Sequence, residues 1–306
     1  MSGPDDMDTI PPPLRATALG RTTTVTEHPT AVVRVDCCGM SDRGKVRVDN
    51  QDHFYLGRLG RFSQTLATSL PAGELPERLE QAGYVAVVAD GMGGHAGGEV
   101  ASRTAIIVFF HLLFDTPDWV LKVDDQSAAK ILDRVSDRYR SLDSLLEERS
   151  RIEPDLHGMG TTMTLTYSIG FDLFLAHAGD SRAYLCRDGS LKQLTRDHTR
   201  VQELVDAGMM TREEAATHRL RNVLTNVLGG GVPLTDVDLH RIPLVAGDTV
   251  LLCSDGLYDV VKDAEIASIL AAAPSADAAC RSLIDLALER NAPDNVTAVV
   301  SRYASV

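Results

Sequence analysis

Five aspartates stand where they could hold hard metal ions. Asp52 immediately precedes a short apolar run, Asp90 ends Tyr84–Ala89 (YVAVVA), Asp180 follows Leu173 to Gly179, Asp255 follows TVLLCS, and Asp294 precedes NVTAVV. Each carboxylate sits at the mouth of a β-rich stretch, and Gly91, Gly179 and Gly256 adjoin three of them. Taken singly, such an aspartate reads as a turn or helix-cap residue. Five together, on strand ends that one sandwich can gather at one rim, read as ligands. Crowded carboxylates repel one another and raise their own pKa values unless a cation neutralises them. An all-oxygen donor set suits Mg²⁺ or Mn²⁺ rather than softer metals. Two such ions can lower the pKa of a shared water enough to supply hydroxide near neutral pH. Arg47, five residues before Asp52, adds a fixed charge that can bind phosphate through two parallel hydrogen bonds.

Periodicity indicates the elements that must carry these residues. Ala31–Cys38 and His53–Leu56 read as strands, and the polar stretch at about 58–80, with Ser, Thr, Pro and Gly, reads as an exposed loop. YVAVVA is too short for a helix and rich in valine, which predicts a buried strand. Glu99–Phe114 predicts a largely apolar helix, and Ser127–Arg149 an amphipathic one with Ile131, Leu132, Val135, Tyr139, Leu142, Leu145 and Leu146 at helical spacing. Strands follow at 160–169 and 171–178, then a hairpin joining 181–187 to 190–194 across Asp188-Gly189. The remainder predicts a polar helical stretch at 199–217, strands at 237–242 and 249–253, helices at 263–272 and 276–290, and a last strand at 296–302. Strands and helices come in blocks rather than alternating, so an α+β layered sandwich fits better than a doubly wound parallel sheet. Residues 1–30, rich in Pro, Thr and Asp without periodicity, read as a loose tail.

Composition narrows the classes. A chain of 306 residues that is 44% hydrophobic can bury a large core. Its net charge of −13 disfavours nonspecific nucleic-acid binding, so a phosphorylated substrate needs a local cation or a metal to land on. The five cysteines, at 37, 38, 186, 253 and 280, are odd in number and form no CxxC, which predicts reduced thiols and no zinc ribbon. No apolar stretch approaches the ~20 residues of a membrane span. MSGPDDMDTIPPP has neither a basic start nor an apolar run, so it does not read as a signal peptide. The expectation is a cytoplasmic monomer with no membrane or nucleic-acid partner.

With these residues assembled, the chain resembles the bacterial branch of the PPM, or protein phosphatase 2C-type, family. Six stretches carry the resemblance, in the family's order. They are Ser41-Asp-Arg-Gly44 with Arg47-Val-Asp-Asn-Gln-Asp52; Ala89-Asp-Gly-Met-Gly-Gly-His95 with Gly98-Glu-Val-Ala101; Gly158-Met-Gly-Thr-Thr162; Ala178-Gly-Asp-Ser-Arg-Ala-Tyr184; Ser254-Asp-Gly-Leu257; and Pro293-Asp-Asn-Val-Thr297. The resemblance spans about 31–304 and implies a four-layer α-β-β-α sandwich with two central antiparallel sheets, plus a flap at about 196–232. It implies a metal-dependent serine/threonine phosphatase acting on phosphorylated proteins, with a Ser/Thr kinase as a cognate partner. By the same resemblance Asp90 bridges two Mn²⁺ or Mg²⁺ ions, and the Gly91 carbonyl helps hold one. Asp255 and Asp294 ligate the other, Asp52 acts on the first ion's side through water, and Arg47 grips the phosphate. Asp180 with Asp255 forms a third, weaker metal site. Two positions depart from the pattern: Gln51 stands where many members carry Glu, and Met92 where some carry a His that protonates the leaving group, with His95 nearby in sequence.

Two rivals are distinguishable. Gly91-Met-Gly93-Gly94-His-Ala96 formally fits the G-x-G-x-x-A of a dinucleotide-binding turn, though no second strand with a ribose-binding acid follows. Gln51 is the one feature that favours a non-catalytic pseudophosphatase, a module that binds phosphoproteins without turnover.

Overall fold

The computed structural model describes residues 33–114, 125–232 and 234–306; the tail read at 1–30 lies outside them. The described strands are β1 (Val33–Asp42), β2 (Asp52–Gln64), β3 (Arg78–Met92), β4 (Gly160–Thr161), β5 (Met163–Ile169), β6 (Asp172–Ala178), β7 (Arg182–Arg187), β8 (Ser190–Gln193), β9 (Leu228–Gly229), β10 (Asp238–Pro243), β11 (Thr249–Cys253) and β12 (Val296–Ser305). The described helices are α1 (Gly94–Phe114), α2 (Asp125–Ile152), α3 (Arg200–Asp206), α4 (Arg212–Thr217), α5 (Asp255–Tyr258), α6 (Asp263–Ala272) and α7 (Ala276–Glu289).

One sheet runs β1-β12-β11-β7-β8 and the other β10-β6-β5-β3-β4-β9, with β2 paired along β3. YVAVVA shows why they stack. Val85 and Val87 join Ala101, Phe109, Tyr139 and Leu142 of α1 and α2 in one apolar cluster. Ala86 and Val88, out of phase by one residue, join Leu173, Leu175, Leu252 and Val299 between the sheets. A strand covered on both faces loses its polar alternation, which is the pattern read here. Across the sandwich, α6 and α7 bury Ile266, Leu270 and Leu283 against Tyr184, Leu251 and Val300. Each fully buried leucine stabilises by ~1.5–3 kcal/mol. The layers are helix, sheet, sheet, helix, as the resemblance implied.

Both long partners of β3, β2 and β5, run antiparallel to it, and the next described element after α1 is α2. Among the described residues no parallel βαβ crossover is built on Gly91–Ala96, so the dinucleotide reading fails. The hairpin between β7 and β8 turns at Asp188 (φ 51°) and Gly189 (φ 75°), the paired left-handed residues of a type I′ turn. All five cysteines are free.

The stretch at 58–80 is a correction. β2 and β3 pair without interruption from Asp52 opposite Asp90 to Gln64 opposite Arg78, leaving only 65–77 as loop. Gly60, Phe62, Ser63 and Gln64 of β2 are all exposed and show no alternation of burial, so the pairing of neighbours outweighs a weak β signal.

Candidate active site

Antiparallel pairing gathers the carboxylates. Asp52 opens β2 directly opposite Asp90 near the end of β3. In the other sheet Cys253 lies opposite Ala298, so Asp255, just past β11, and Asp294, just before β12, leave the same end. Ala178 lies opposite Met163, which brings Asp180 to that rim as well. A cleft of about 550 Å³ there is lined by Arg47, Asp90, Gly91, Asp180, Asp255 and Asp294, together with Gln51, Met92, Asn222 and Leu224. Asp52 stands behind this lining, only 4% exposed. The side chain of His95 lies outside the described residues.

The electrostatics are those of a cation site. Loss of hydration pushes the Asp90 carboxyl well above its usual range, and repulsion from Asp52, Asp255, Asp180 and Asp294 adds to it. Burial raises Asp255 in the same way, with Asp180 and Asp294 next in effect. Asp180 is pushed up to about 7 by burial and then by Asp197, against the opposing pull of Arg182. Asp52 is pushed up to about 6 by burial, although hydrogen bonds from Ser254 and Thr297 pull it down. Asp52 Oδ1 and Asp255 Oδ1 are buried with no hydrogen-bond partner. A buried carboxylate oxygen without a donor is costly unless positive charge faces it.

Arg47 supplies some of that charge, its Nη2 donating to Asp294 Oδ2 at 2.7 Å. With 54% of the Arg47 side chain exposed, this pair contributes on the order of 1 kcal/mol or less. The guanidinium is therefore cheaply released to an incoming anion. Among the described residues, no three His, Cys, Asp or Glu side chains form a ready-made ligand cage. Dispersed oxygen donors suit ions that keep several waters, as Mg²⁺ does, better than one stripped of them.

Hydroxyls and amides that the motif reading passed over hold these acids in place. Ser254 Oγ (2.6 Å) and Thr297 Oγ1 (2.8 Å) both donate to Asp52 Oδ2, reaching it from the opposite sheet. Asn295 Oδ1 accepts from the Gln51 N–H at 2.8 Å, and its Nδ2 donates to the Arg43 and Asp49 carbonyls, both at 2.9 Å. That amide pins the loop bearing Arg47 to the start of β12. Thr161 Oγ1 donates to the Asp90 carbonyl at 2.8 Å, and Thr162 Oγ1 accepts from the Asp90 N–H at 3.0 Å. Two glycines let backbones close in: a Cβ on Gly91 would stand 2.1 Å from the Gly98 carbonyl oxygen, and one on Gly256 2.0 Å from that of Asn295. For Ser254, Asn295 and Thr297 the available signal was closeness to Asp255 and Asp294 within the quoted stretches, whereas Thr161 and Thr162 stand in a quoted stretch that holds no acid.

The flap read at 196–232 contains α3 and α4. Thr199 caps α3, and Thr211 with Glu214 forms a capping box on α4. Asn222 and Leu224 turn toward the cleft. Asp197-His198 forms the flap's root. Asp197 takes a bidentate pair from Arg182, whose Nε donates to Oδ1 at 2.9 Å and Nη2 to Oδ2 at 2.6 Å. His198 Nδ1 accepts from the Gly179 N–H at 3.1 Å, so its Nε2 carries the proton toward Asp238 Oδ2 at 3.2 Å. The root is thus tied to the turn that presents Asp180.

Two facing antiparallel sheets, helices outside them and a rim of aspartates beside one arginine form the architecture of the metal-dependent protein phosphatases. A family model described as protein phosphatase 2C matches residues 77–290, and the chain belongs to that family. That match stops short of Arg47 and Asp294, which line the cleft, and of Asp52, which stands behind it opposite Asp90. The chain is 40% identical over 261 residues to the serine/threonine protein phosphatase PstP of Mycobacterium tuberculosis, covering 85% of this chain and 43% of that protein. It therefore spans less than half the length of that relative. It is 32% identical over 262 residues to the serine/threonine phosphatase stp of Listeria welshimeri, covering 85% of this chain and 92% of that protein. The crystal structure of the PstP catalytic domain, in complex with two manganese ions, superposes with a TM-score of 0.69 at 37% identity, covering 89% of this chain and all of that one. No helix among the described residues is long and apolar enough to cross a membrane.

Proposed function

We propose that this chain is a protein serine/threonine phosphatase that hydrolyses phosphoserine and phosphothreonine in one in-line step. The observation that carries this reading is a cleft lined by Asp90, Asp255 and Asp294, with Asp52 buried opposite Asp90 and one oxygen each of Asp52 and Asp255 buried without a hydrogen-bond partner. That donor set fits two Mn²⁺ or Mg²⁺ ions held by Asp52, Asp90, the Gly91 carbonyl, Asp255 and Asp294, with Asp180 and Asp255 at a weaker third site. When bound, such ions supply Lewis acidity and a water acidic enough to attack at neutral pH.

The chain's own residues do the rest. Arg47 leaves Asp294 for the substrate phosphate and balances charge on its equatorial oxygens. Water oxygen forms a bond to phosphorus while the ester P–O bond breaks, and the departing serine or threonine oxygen takes a proton. Met92, which lines the cleft, has no proton to give, and the attacking water itself releases one as the new P–O bond forms. Ser254 and Thr297 keep Asp52 ionised and oriented, and Asn295 sets the position of the Arg47 loop. The catalytic unit spans 31–304 with its flap at 196–232, acts as a monomer in the cytoplasm, and takes phosphorylated proteins, a Ser/Thr kinase among them.

A phosphothreonine peptide tests this directly. Phosphate release should be absent in EDTA and restored by Mn²⁺. A protein that binds the peptide but releases no phosphate across a wide Mn²⁺ range is a pseudophosphatase instead.

A further inference from the structure

Asp180 is held differently from the other acids of the ring. Asp52 is oriented by two hydroxyls, those of Ser254 and Thr297. The Asp180 side chain is buried as well, yet among the described residues no side chain donates to its carboxylate. Its direction is therefore set by the backbone on either side of it. On one side the Tyr258 hydroxyl donates to the Asp180 carbonyl at 3.1 Å. On the other stands Gly179, at φ 114°, where a Cβ would lie 2.5 Å from Cβ of Thr162. Any side chain there would be strained.

Both polar backbone groups of Gly179 are bound by one residue. Its carbonyl accepts from the His198 N–H at 2.7 Å, and its own N–H donates to His198 Nδ1 at 3.1 Å. A backbone N–H can only donate, so Nδ1 must be the bare nitrogen of the ring. The Asn226 amide donates to the same nitrogen at 3.1 Å, and is itself fixed by the Asp236 carbonyl and the Thr235 N–H. The ring is 5% exposed and stacks on His177 with centroids 4.8 Å apart. The His198 carbonyl accepts from the N–H of Thr225, the residue after Leu224 of the cleft lining. One imidazole thus joins the Asp180 turn to both ends of the flap. With Nε2 turned to Asp238, it has no nitrogen left for proton transfer at the cleft, which it does not line.

We propose that His198 is a positioning residue for Asp180. By accepting from the Gly179 N–H, its Nδ1 sets the turn that presents the Asp180 carboxylate to the weaker third Mn²⁺ or Mg²⁺ site. This rests on the reading of Asp180 and Asp255 as that site, and adds the residue that keeps it assembled. Groups that orient a metal ligand are worth about 10–100-fold in metal affinity.

His198→Asn and His198→Gln separate this role from packing. The first substitution places an amide oxygen where Nδ1 stood, and the second places it where Nε2 stood, although glutamine is nearer to histidine in size. Free Mn²⁺, read from its electron paramagnetic resonance signal during titration of the whole chain, counts the ions bound and gives their affinities. The wild type should bind two ions tightly and a third weakly. His198→Gln should weaken the third by about tenfold or more and leave the two tight ones unchanged, whereas His198→Asn should stay within about threefold of wild type. If His198→Gln holds the third ion as well as His198→Asn does, the proposal is overturned, because the position of the acceptor then has no effect. A wild type that takes up only two ions overturns it together with the third site, and leaves the two-ion phosphatase standing. Phosphate release from a phosphothreonine peptide, measured on the same samples, checks the phosphatase reading separately. Its absence from a wild type that binds three ions removes that reading, while the titration still decides the role of His198.

Discussion

Asp52 takes two hydroxyl donors on one oxygen and none on the other. The asymmetry matters because Oδ2 is held while Oδ1 stays available to positive charge. Thr297→Val keeps the shape of the side chain and a good strand former, but removes one donor to a charged acceptor, worth ~1.5–3 kcal/mol. Mn²⁺ affinity measured by calorimetry should fall by about tenfold, whereas an unaltered affinity would make Thr297 a packing residue. Asp255→Asn separates charge from shape. Phosphopeptide turnover should drop by at least about a hundredfold, and the metal-free Tm should rise as repulsion in the ring is relieved; a variant with wild-type turnover removes Asp255 from the site. The carboxylates were legible because each follows or precedes an apolar run. Ser254 and Thr297 were not, because their partner lies 202 and 245 residues away on the other sheet.

At the scale of elements, the loop over 43–51 depends on one amide. Asn295 makes three hydrogen bonds to its backbone, each worth ~1 kcal/mol net. Asn295→Ala should therefore cost about 3 kcal/mol in urea unfolding and raise KM for phosphopeptide as Arg47 loses its position. A loss below about 0.5 kcal/mol, the level of an ordinary surface change, would show that the loop holds itself. Long elements with a buried face were readable, as for α2, where Ile131, Val135, Tyr139, Leu142 and Leu146 recur at helical spacing and are all buried. Elements without such a face were not. The end of β2 is exposed at Gly60, Phe62, Ser63 and Gln64, β9 is two residues long, and α5 is a single turn that follows Ser254. Helix α1 starts at Gly94 rather than Glu99 because glycines that read as a loop continue into its first turn.

For the whole molecule, the crowded acids predict how stability depends on pH. Asp180, near 7 when folded, and Asp90 and Asp255, pushed well above their usual range, all exceed the ordinary carboxylate value of 3.8. Between the unfolded and folded values the folded state binds more protons, so stability falls as pH rises. His177, held down to about 4 from 6.5 by burial and then by His198, has the opposite sign, but only below pH 6.5. Glu265, drawn down to about 2 by Arg290, matters only in acid. Above pH 6.5 the aspartates therefore act without those two. In EDTA the Tm should fall from pH 6.5 to 8, and Mn²⁺ should recover most of the loss, because ions bind the ionised ring. A metal-free Tm that climbs over this range contradicts the electrostatic account. The layered architecture was legible because its strands are apolar and its helices periodic, whereas the gathering of one rim required the pairing register.

The most direct test is diffraction at the manganese edge from crystals soaked in MnCl₂. The account predicts two anomalous peaks within the ring of Asp52, Asp90, Asp255 and Asp294, beside Arg47. A cleft without anomalous density, in crystals whose carboxylates are ionised at the soaking pH, would contradict it.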